Sequence, residues 1–342
     1  MPAIGPDRGD SEIIRFGLLL LPEFPLYALT PAIEALRIAN QNSDRRLYDF
    51  QLISVDGKPV KASNGMTLSV DGSLADIPWV PTAFVFAGNH PISHVNKRVM
   101  SWLRKLARHG SVIGAMDTGA FALARAGLLD GYRVTLHWEA ITMFRDQFPD
   151  LTVTEQLYVI DRDRITCAGG HATLDLMLHL IARRHGTGLA QIVANGFVAQ
   201  KIRRDVESQR LDAQHISGDS RSPFTRILHD MEQHLANPLS ADELAERAGI
   251  SVRALGRALK ERVGASPMRY YRKLRLQAAR NALFYSDVAI QDVATACGFA
   301  SPEVFSRTFR DHFGVCPREF RAKFAQEQLS RFRPELDQQL NR

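Results

Sequence analysis

Basic side chains recur at matched positions toward the C-terminal end of the chain. Arg253, Arg257 and Lys260 form one set, and Arg307 and Arg310 form another about 50 residues further on, a spacing typical of repeated units. A guanidinium can grip guanine through two hydrogen bonds at once, and any of these cations can pair with phosphate. Upstream, Asp117 stands between an apolar run, Ser111-Val-Ile-Gly-Ala-Met, and a small-residue pattern, Thr118-Gly119-Ala-Phe-Ala-Leu-Ala. A strand–turn–helix of this shape is where some α/β enzymes hold a nucleophile. His137, Trp138 and Glu139 follow it, and His171 comes directly after two glycines. Such a set could supply a carboxylate nucleophile with an imidazole base. It could equally hold a cationic ligand between carboxylates and an aromatic face.

The elements that must position the basic residues are legible. Leu244-Ala-Glu-Arg-Ala-Gly249-Ile-Ser251 is echoed by Val293-Ala-Thr-Ala-Cys-Gly298-Phe-Ala-Ser301. Leu255 matches Phe305, Leu259 matches Phe309, Gly264 matches Gly314 and Pro267 matches Pro317. Each copy reads as a short helix, a glycine turn and a second helix, the pattern of a helix-turn-helix whose second helix enters the major groove. Ser251 and Ser301 are expected to cap the second helices, with Pro302 at a first helical position and Glu303 at the positive helix end. Leu255, Leu259 and Val263, like Phe305, Phe309 and Phe313, fall at four-residue spacing and should pack inward. Arg253, Arg257, Lys260, Ser306, Arg307 and Arg310 are then left for DNA. Gly256 sits inside a helix, where it costs about 1 kcal/mol against alanine; a close approach or small-residue contact would account for it.

Residues Val293–Arg321 resemble the signature of AraC/XylS-type transcription regulators: GF, FSR-x-F, FG and the proline after it stand at that family's spacing. Pro302 and Cys316 depart from it without removing a donor. The resemblance covers residues 223–325 and implies an all-α domain of seven helices with two helix-turn-helix motifs, Met268 to Phe284 being the long helix between them. A lone arginine would be an ordinary solvated charge. Two motifs with matching caps, glycines and cations point to DNA.

Charge agrees. From Pro223 onward, 19 Lys and Arg face 14 Asp and Glu, so nearly all of the chain's net +6 lies in its last third. A basic domain attracts phosphate without sequence preference, and base edges must supply the choice. The chain, 342 residues with 45% hydrophobic content, suffices for two domains. No apolar run is long enough to span a membrane, and Met1 to Glu12 lacks the pattern of a signal peptide. Cys167, Cys297 and Cys316 show neither metal spacing nor a disulfide pattern. A cytoplasmic protein without metal or cofactor is expected.

The first part alternates strands and helices, predicting an α/β domain with a mostly parallel, doubly wound sheet. Expected strands are 13–21, 50–55, 83–87, 112–116 and 165–168. Expected helices are 27–40, 99–109, 120–126 and 173–185, with a further one over 191–204. Ligands in such folds sit beyond the carboxyl ends of the strands.

The segment Ser111–Gly131, with Thr135–Glu139 after it, resembles the class I glutamine amidotransferase-like (ThiJ/PfpI) superfamily over residues 13–190, which implies a flavodoxin-like sheet. Catalytic members carry a cysteine thiolate at the elbow; here the residue is Asp117, which argues against that chemistry. Asp117 then caps the next helix or contacts a ligand. His137 and His171 are packed residues or cleft residues, and Glu34 is a surface charge unless its helix borders the elbow, as the resemblance implies. The fusion of the two domains resembles a subgroup of regulators sensing arginine, glycine betaine or carnitine. It implies a dimeric, non-catalytic sensor (13–204), a linker (205–222), a DNA-binding domain (223–325) and loose ends at 1–12 and 326–342. The expected partners are promoter DNA, a small-molecule inducer and RNA polymerase. The tentative inducer site comprises Glu34, Asp117, Thr118, His137, Trp138, Glu139 and His171.

Overall fold

The computed structural model describes residues 13–199, 202–209, 223–286 and 288–322. The expected loose ends, 1–12 and 326–342, and most of the expected linker lie outside the described residues. Contacts divide the chain into two units that part between Gln209 and Arg210.

The first unit has eleven described strands: β1 (Ile14–Leu20), β2 (Tyr48–Ser54), β3 (Val60–Lys61), β4 (Thr67–Leu68), β5 (Gly72–Ser73), β6 (Thr82–Ala87), β7 (Val112–Asp117), β8 (Arg133–Val134), β9 (Thr152–Val153), β10 (Tyr158–Asp161) and β11 (Arg164–Cys167). Seven of them form one sheet in the order β10-β11-β7-β6-β1-β2-β5. Every pairing is parallel except β10 with β11. Helices α1 (Leu26–Gln41), α2 (Lys97–Arg108), α3 (Ala120–Arg125), α4 (Ile141–Gln147), α5 (His171–His185) and α6 (Thr187–Gly196) complete it. Phe16, Leu18, Leu20, Phe84 and Phe86 join α1, α5 and α6 in one core. The alternating Leu19, Ala83, Val85 and Ala115 are buried as well, on the face where α2 and α3 pack on β7. Strands buried on both faces explain the continuous apolar runs. The doubly wound, mostly parallel expectation holds, and each expected strand is present within two residues.

One helix differs. Residues 191–204 do not form a single helix: α6 stops at Gly196, Val198 has a positive φ of 55°, and 202–204 are not helical. The chain turns back onto its own unit instead. Asp175, buried on α5, accepts from the Arg203 backbone N–H (2.9 Å) and from its guanidinium Nε (2.9 Å). Leu157 N–H donates to Asp205 O, and the Gln209 amide donates to Thr135 Oγ1, Leu136 O and Gln156 O. The start of the segment read as linker is thus strapped to the sheet unit.

The second unit holds α7 (Pro223–Gln233), α8 (Ala241–Ala248), α9 (Val252–Val263), α10 (Pro267–Tyr285), α11 (Ile290–Ala296) and α12 (Pro302–Phe313); residues 317–322 are helical too. α10 matches the expected long helix. It joins two separate cores, one built on Phe224, Met231, Leu244, Leu255 and Leu259, the other on Leu283, Val293, Phe305, Phe309 and Phe320. From α10 the Tyr271 hydroxyl donates to His234 O (2.8 Å) in the first module. One turn later the Arg275 guanidinium donates to Cys297 O (2.7 Å) and Gly298 O in the second, and lies over the Phe299 ring.

Gly249 and Gly298 occupy equivalent turns with the same left-handed φ of 69°. A Cβ on Gly249 would meet nothing within 4 Å, but on Gly298 it would collide with the Leu235 carbonyl oxygen and lie 2.8 Å from Ala236 O. Gly249→Ala is therefore expected to cost about 1 kcal/mol, the left-handed conformation alone. Gly298→Ala should cost about 3 kcal/mol or more, since overpacking against backbone adds to it. Urea unfolding of both variants checks this; equal losses would show that the close approach at Gly298 is not restrictive.

Candidate functional site

The basic positions lie on the outer faces of α9 and α12 because the inner faces are spent on the cores. Leu255, Leu259, Phe305 and Phe309 are fully buried, with Val263 and Phe313 partly so. Arg253, Arg257, Lys260, Arg307 and Arg310 are exposed. Each helix begins as its sequence dictates: Ser251 Oγ accepts from Ala254 N–H (3.2 Å) and Ser301 Oγ from Val304 N–H (3.3 Å). Glu303 stands exposed at the α12 start, where hydrogen bonding with Ser301 holds its carboxyl below its ordinary value. Ser306 is half-buried beside Phe305. Gly256, its counterpart on α9, contradicts the expected tight contact: a Cβ there would meet nothing within 4 Å. What Gly256 leaves open is space outside the protein, on the helix that carries Arg253, Arg257 and Lys260.

The second site sits at the carboxyl ends of β7 and β11. β7 runs into a turn at Asp117, whose φ of 60° is rare for a residue with a side chain. Gly119 follows because a Cβ there would collide with the Val85 carbonyl oxygen. Gly169 makes room for Asp117 from β11: a Cβ on it would lie 2.7 Å from Asp117 Oδ2. His137 N–H donates to Asp117 O (3.3 Å). Desolvation by burial is the main cause that pushes the Asp117 carboxyl up to about 6, with His137 opposing and Glu139 adding to it. Glu139 lies 3.9 Å from His137 Nδ1, and Trp138 packs beside His137. His171 opens α5, exposed, with the Tyr27 ring edge-on at 5.1 Å. Tyr27, 53% exposed at the start of α1, also borders Gly170.

The structure brings Asp117, His137, Trp138 and Glu139 together, and His171 joins through Gly169-Gly170. Two expected members do not join them. Thr118 is sealed from solvent: its hydroxyl donates to Gly88 O (2.7 Å) and its N–H to Ala87 O, so both donors are spent on the elbow. Glu34 forms an exposed ion pair with Arg37 (2.7 Å), one turn on along α1, and is the surface charge of the simpler reading. Tyr27, not Glu34, is the α1 residue at the site. Tyr27 and Arg203 escaped the sequence reading. The one available signal was Tyr27 at a helix start facing the expected elbow. Cys167 is fully buried and its thiol is pushed up to about 12 by burial, so it supplies no thiolate. Among the described residues no cluster suited to a metal ion occurs, and no helix is long and apolar enough to cross a membrane.

Residues 244–323 match the helix-turn-helix domain family, and residues 18–183 match the DJ-1/PfpI family. The chain is similar to the HTH-type transcriptional regulator CdhR of Pseudomonas aeruginosa, with 44% identity over 308 residues, 90% of this chain and 91% of that one. It is 39% identical to the HTH-type transcriptional regulator GbdR of the same organism over 320 residues, 94% of this chain and 87% of that one. A crystal structure of an AraC family transcriptional regulator from Pseudomonas putida, 29% identical, covers 54% of this chain and 99% of its own, with a TM-score of 0.49. A helix-turn-helix domain in one chain with a DJ-1/PfpI domain, as in these relatives, defines a DNA-binding transcription regulator. The chain belongs to the family of HTH-type transcriptional regulators that join a DJ-1/PfpI domain to an AraC-type helix-turn-helix domain.

A half-buried, desolvated carboxylate at positive φ is costly, and asparagine tolerates that backbone without a charge to desolvate. Asp117→Asn is expected to stabilise the first unit at pH 7 by on the order of 1–3 kcal/mol. The native carboxyl takes up its proton as pH falls through about 6, before the unfolded one does, so wild type regains stability on acidification. The advantage of asparagine should therefore shrink to a fraction by about pH 4. Thermal unfolding of both proteins at the two pH values measures it; no gain at pH 7 would contradict a desolvated carboxylate.

Proposed function

We propose that this chain controls transcription by reading promoter DNA with α9 and α12 while a small cationic metabolite, of the amino acid or quaternary ammonium class, occupies the Asp117 elbow. The paired serine-capped helices with outward cations carry the first part. Arg257 and Arg307 read base edges; Lys260 and Arg310 pair with phosphates, and Arg253, Ser251, Ser301, Glu303 and Ser306 border the same surface. The ligand class is supported by the acids Asp117 and Glu139 with the rings of Trp138 and Tyr27, since carboxylates and aromatic faces both attract cationic nitrogen. It is also the class implied by the subgroup that the domain fusion resembles.

The metabolite acts by its differential affinity for two arrangements of a homodimer, and through them of the DNA-binding units. The regulator works in the cytoplasm as an activator that engages RNA polymerase. The first unit detects and does not catalyse: the elbow carries no thiol, and the Cys167 thiol is held protonated by burial.

Two measurements test this. Arg257→Ala and Arg307→Ala should each relax base preference at their own positions by about 1–3 kcal/mol; binding-site selection giving unchanged profiles for both would show that other side chains read the bases. Calorimetry with arginine, glycine betaine and carnitine should give heat with at least one, lost in Asp117→Ala, while that variant still binds DNA. Binding of an anionic metabolite and of none of these three would reject the ligand class, and substrate turnover abolished by Asp117→Ala would restore the enzyme reading.

A further inference from the structure

α10 joins the two modules, and one of its faces gathers exposed cations. Arg269, Arg272, Lys273 and Leu276, at positions i, i+3, i+4 and i+7 of the helix, share one face and line a groove of the second unit. The same groove is bordered by the end of α9 at Val263 and Gly264, and by Arg307, Asp311 and His312 of α12. Arg269, Arg272 and Lys273 are exposed and form no ion pair or hydrogen bond among the described residues. Asp311 is the one acid among the lining residues, against five arginines and lysines on the same walls. Cations gathered with a single acid repel one another, and an anionic partner would relieve that repulsion.

We infer that this face of α10 takes the sugar–phosphate backbone of the same duplex, where it crosses from the groove read by α9 to the groove read by α12. Two recognition helices that enter successive major grooves leave a minor groove and its flanking phosphates between them. The helix joining the modules faces that stretch, and Arg269, Arg272 and Lys273 offer it cations that position without specifying. Arg307 lines the same groove, so base reading by α12 begins where the phosphate contacts of α10 end. This inference rests on the proposal that α9 and α12 read DNA, and it adds a third contact surface, on α10.

The test uses the full-length protein and a duplex bearing its selected site. Each phosphate neutralised contributes about 0.9 to the slope of log affinity against log salt. The triple variant R269Q/R272Q/K273Q should lower the magnitude of that slope by about 2–3 while its selected sequence stays that of wild type. The variant R269K/R272K, which keeps the charges, should retain the slope and shows that the face tolerates substitution. Neutral methylphosphonates placed between the two read segments should weaken wild type and leave the triple variant's affinity unmoved. Sequence-specific binding by wild type with an unchanged slope in the triple variant, or with equal sensitivity of both proteins to methylphosphonates, would overturn this inference alone. Absence of any specific binding by wild type would overturn the DNA-reading proposal along with it.

Discussion

The DNA-reading half depends on a single junction. Its two modules have separate cores, and each could shift against the other if only a helix joined them. Tyr271 holds the loop at His234 and, one turn further along α10, Arg275 holds the turn at Cys297 and Gly298. Those two held segments touch each other, because Gly298 lies against the Leu235 and Ala236 carbonyls with no room for a side chain. A helix turn clamped at both sides fixes the spacing between α9 and α12. The proposed reading of two stretches of one duplex requires that spacing, since a displacement of a few ångströms moves a guanidinium from one base pair to the next.

The sheet unit works under a different constraint. Its elbow holds a carboxylate in a conformation that L-residues avoid, in surroundings that penalise its charge. Gly119 and Gly169 supply the space, and the buried hydroxyl of Thr118 anchors the turn to Gly88. Strain of this kind persists only where the surrounding structure holds it. The strap from Arg203 to Gln209 bears on it: Gln209 is bonded to Thr135 and Leu136, immediately before His137, and Arg203 is tied to Asp175 in the helix that His171 opens. The last described residues of this unit thus register the positions of the segments that form the site.

Much was legible beforehand, for a physical reason. A helix-turn-helix is specified by short-range signals: a capping serine, a glycine at the turn and apolar residues every three or four positions. The duplication repeated each signal, so Ser251 and Ser301, Gly249 and Gly298, Leu255 and Phe305 read alike. The parallel strands announced themselves as buried runs bounded by turns, and the elbow as a strand broken by Asp117-Thr-Gly. Boundaries failed where the apolar pattern continued past a backbone break, as after Gly196. Glu34 could not be placed because helical periodicity gives a face, not the distance along the axis to a neighbouring loop.

Two units, two recognition helices with cations off their apolar faces, and an elbow without a thiol could all be read from the chain. Each of these is written in neighbouring residues. Folding in three dimensions was needed to show that Gly298 is confined while Gly249 is free, that Thr118 is sealed and Tyr27 open, that Arg203 doubles back to Asp175, and that three cations of α10 share a groove with Arg307. Those facts depend on residues distant in the chain meeting in space, and local periodicity carries no record of such meetings.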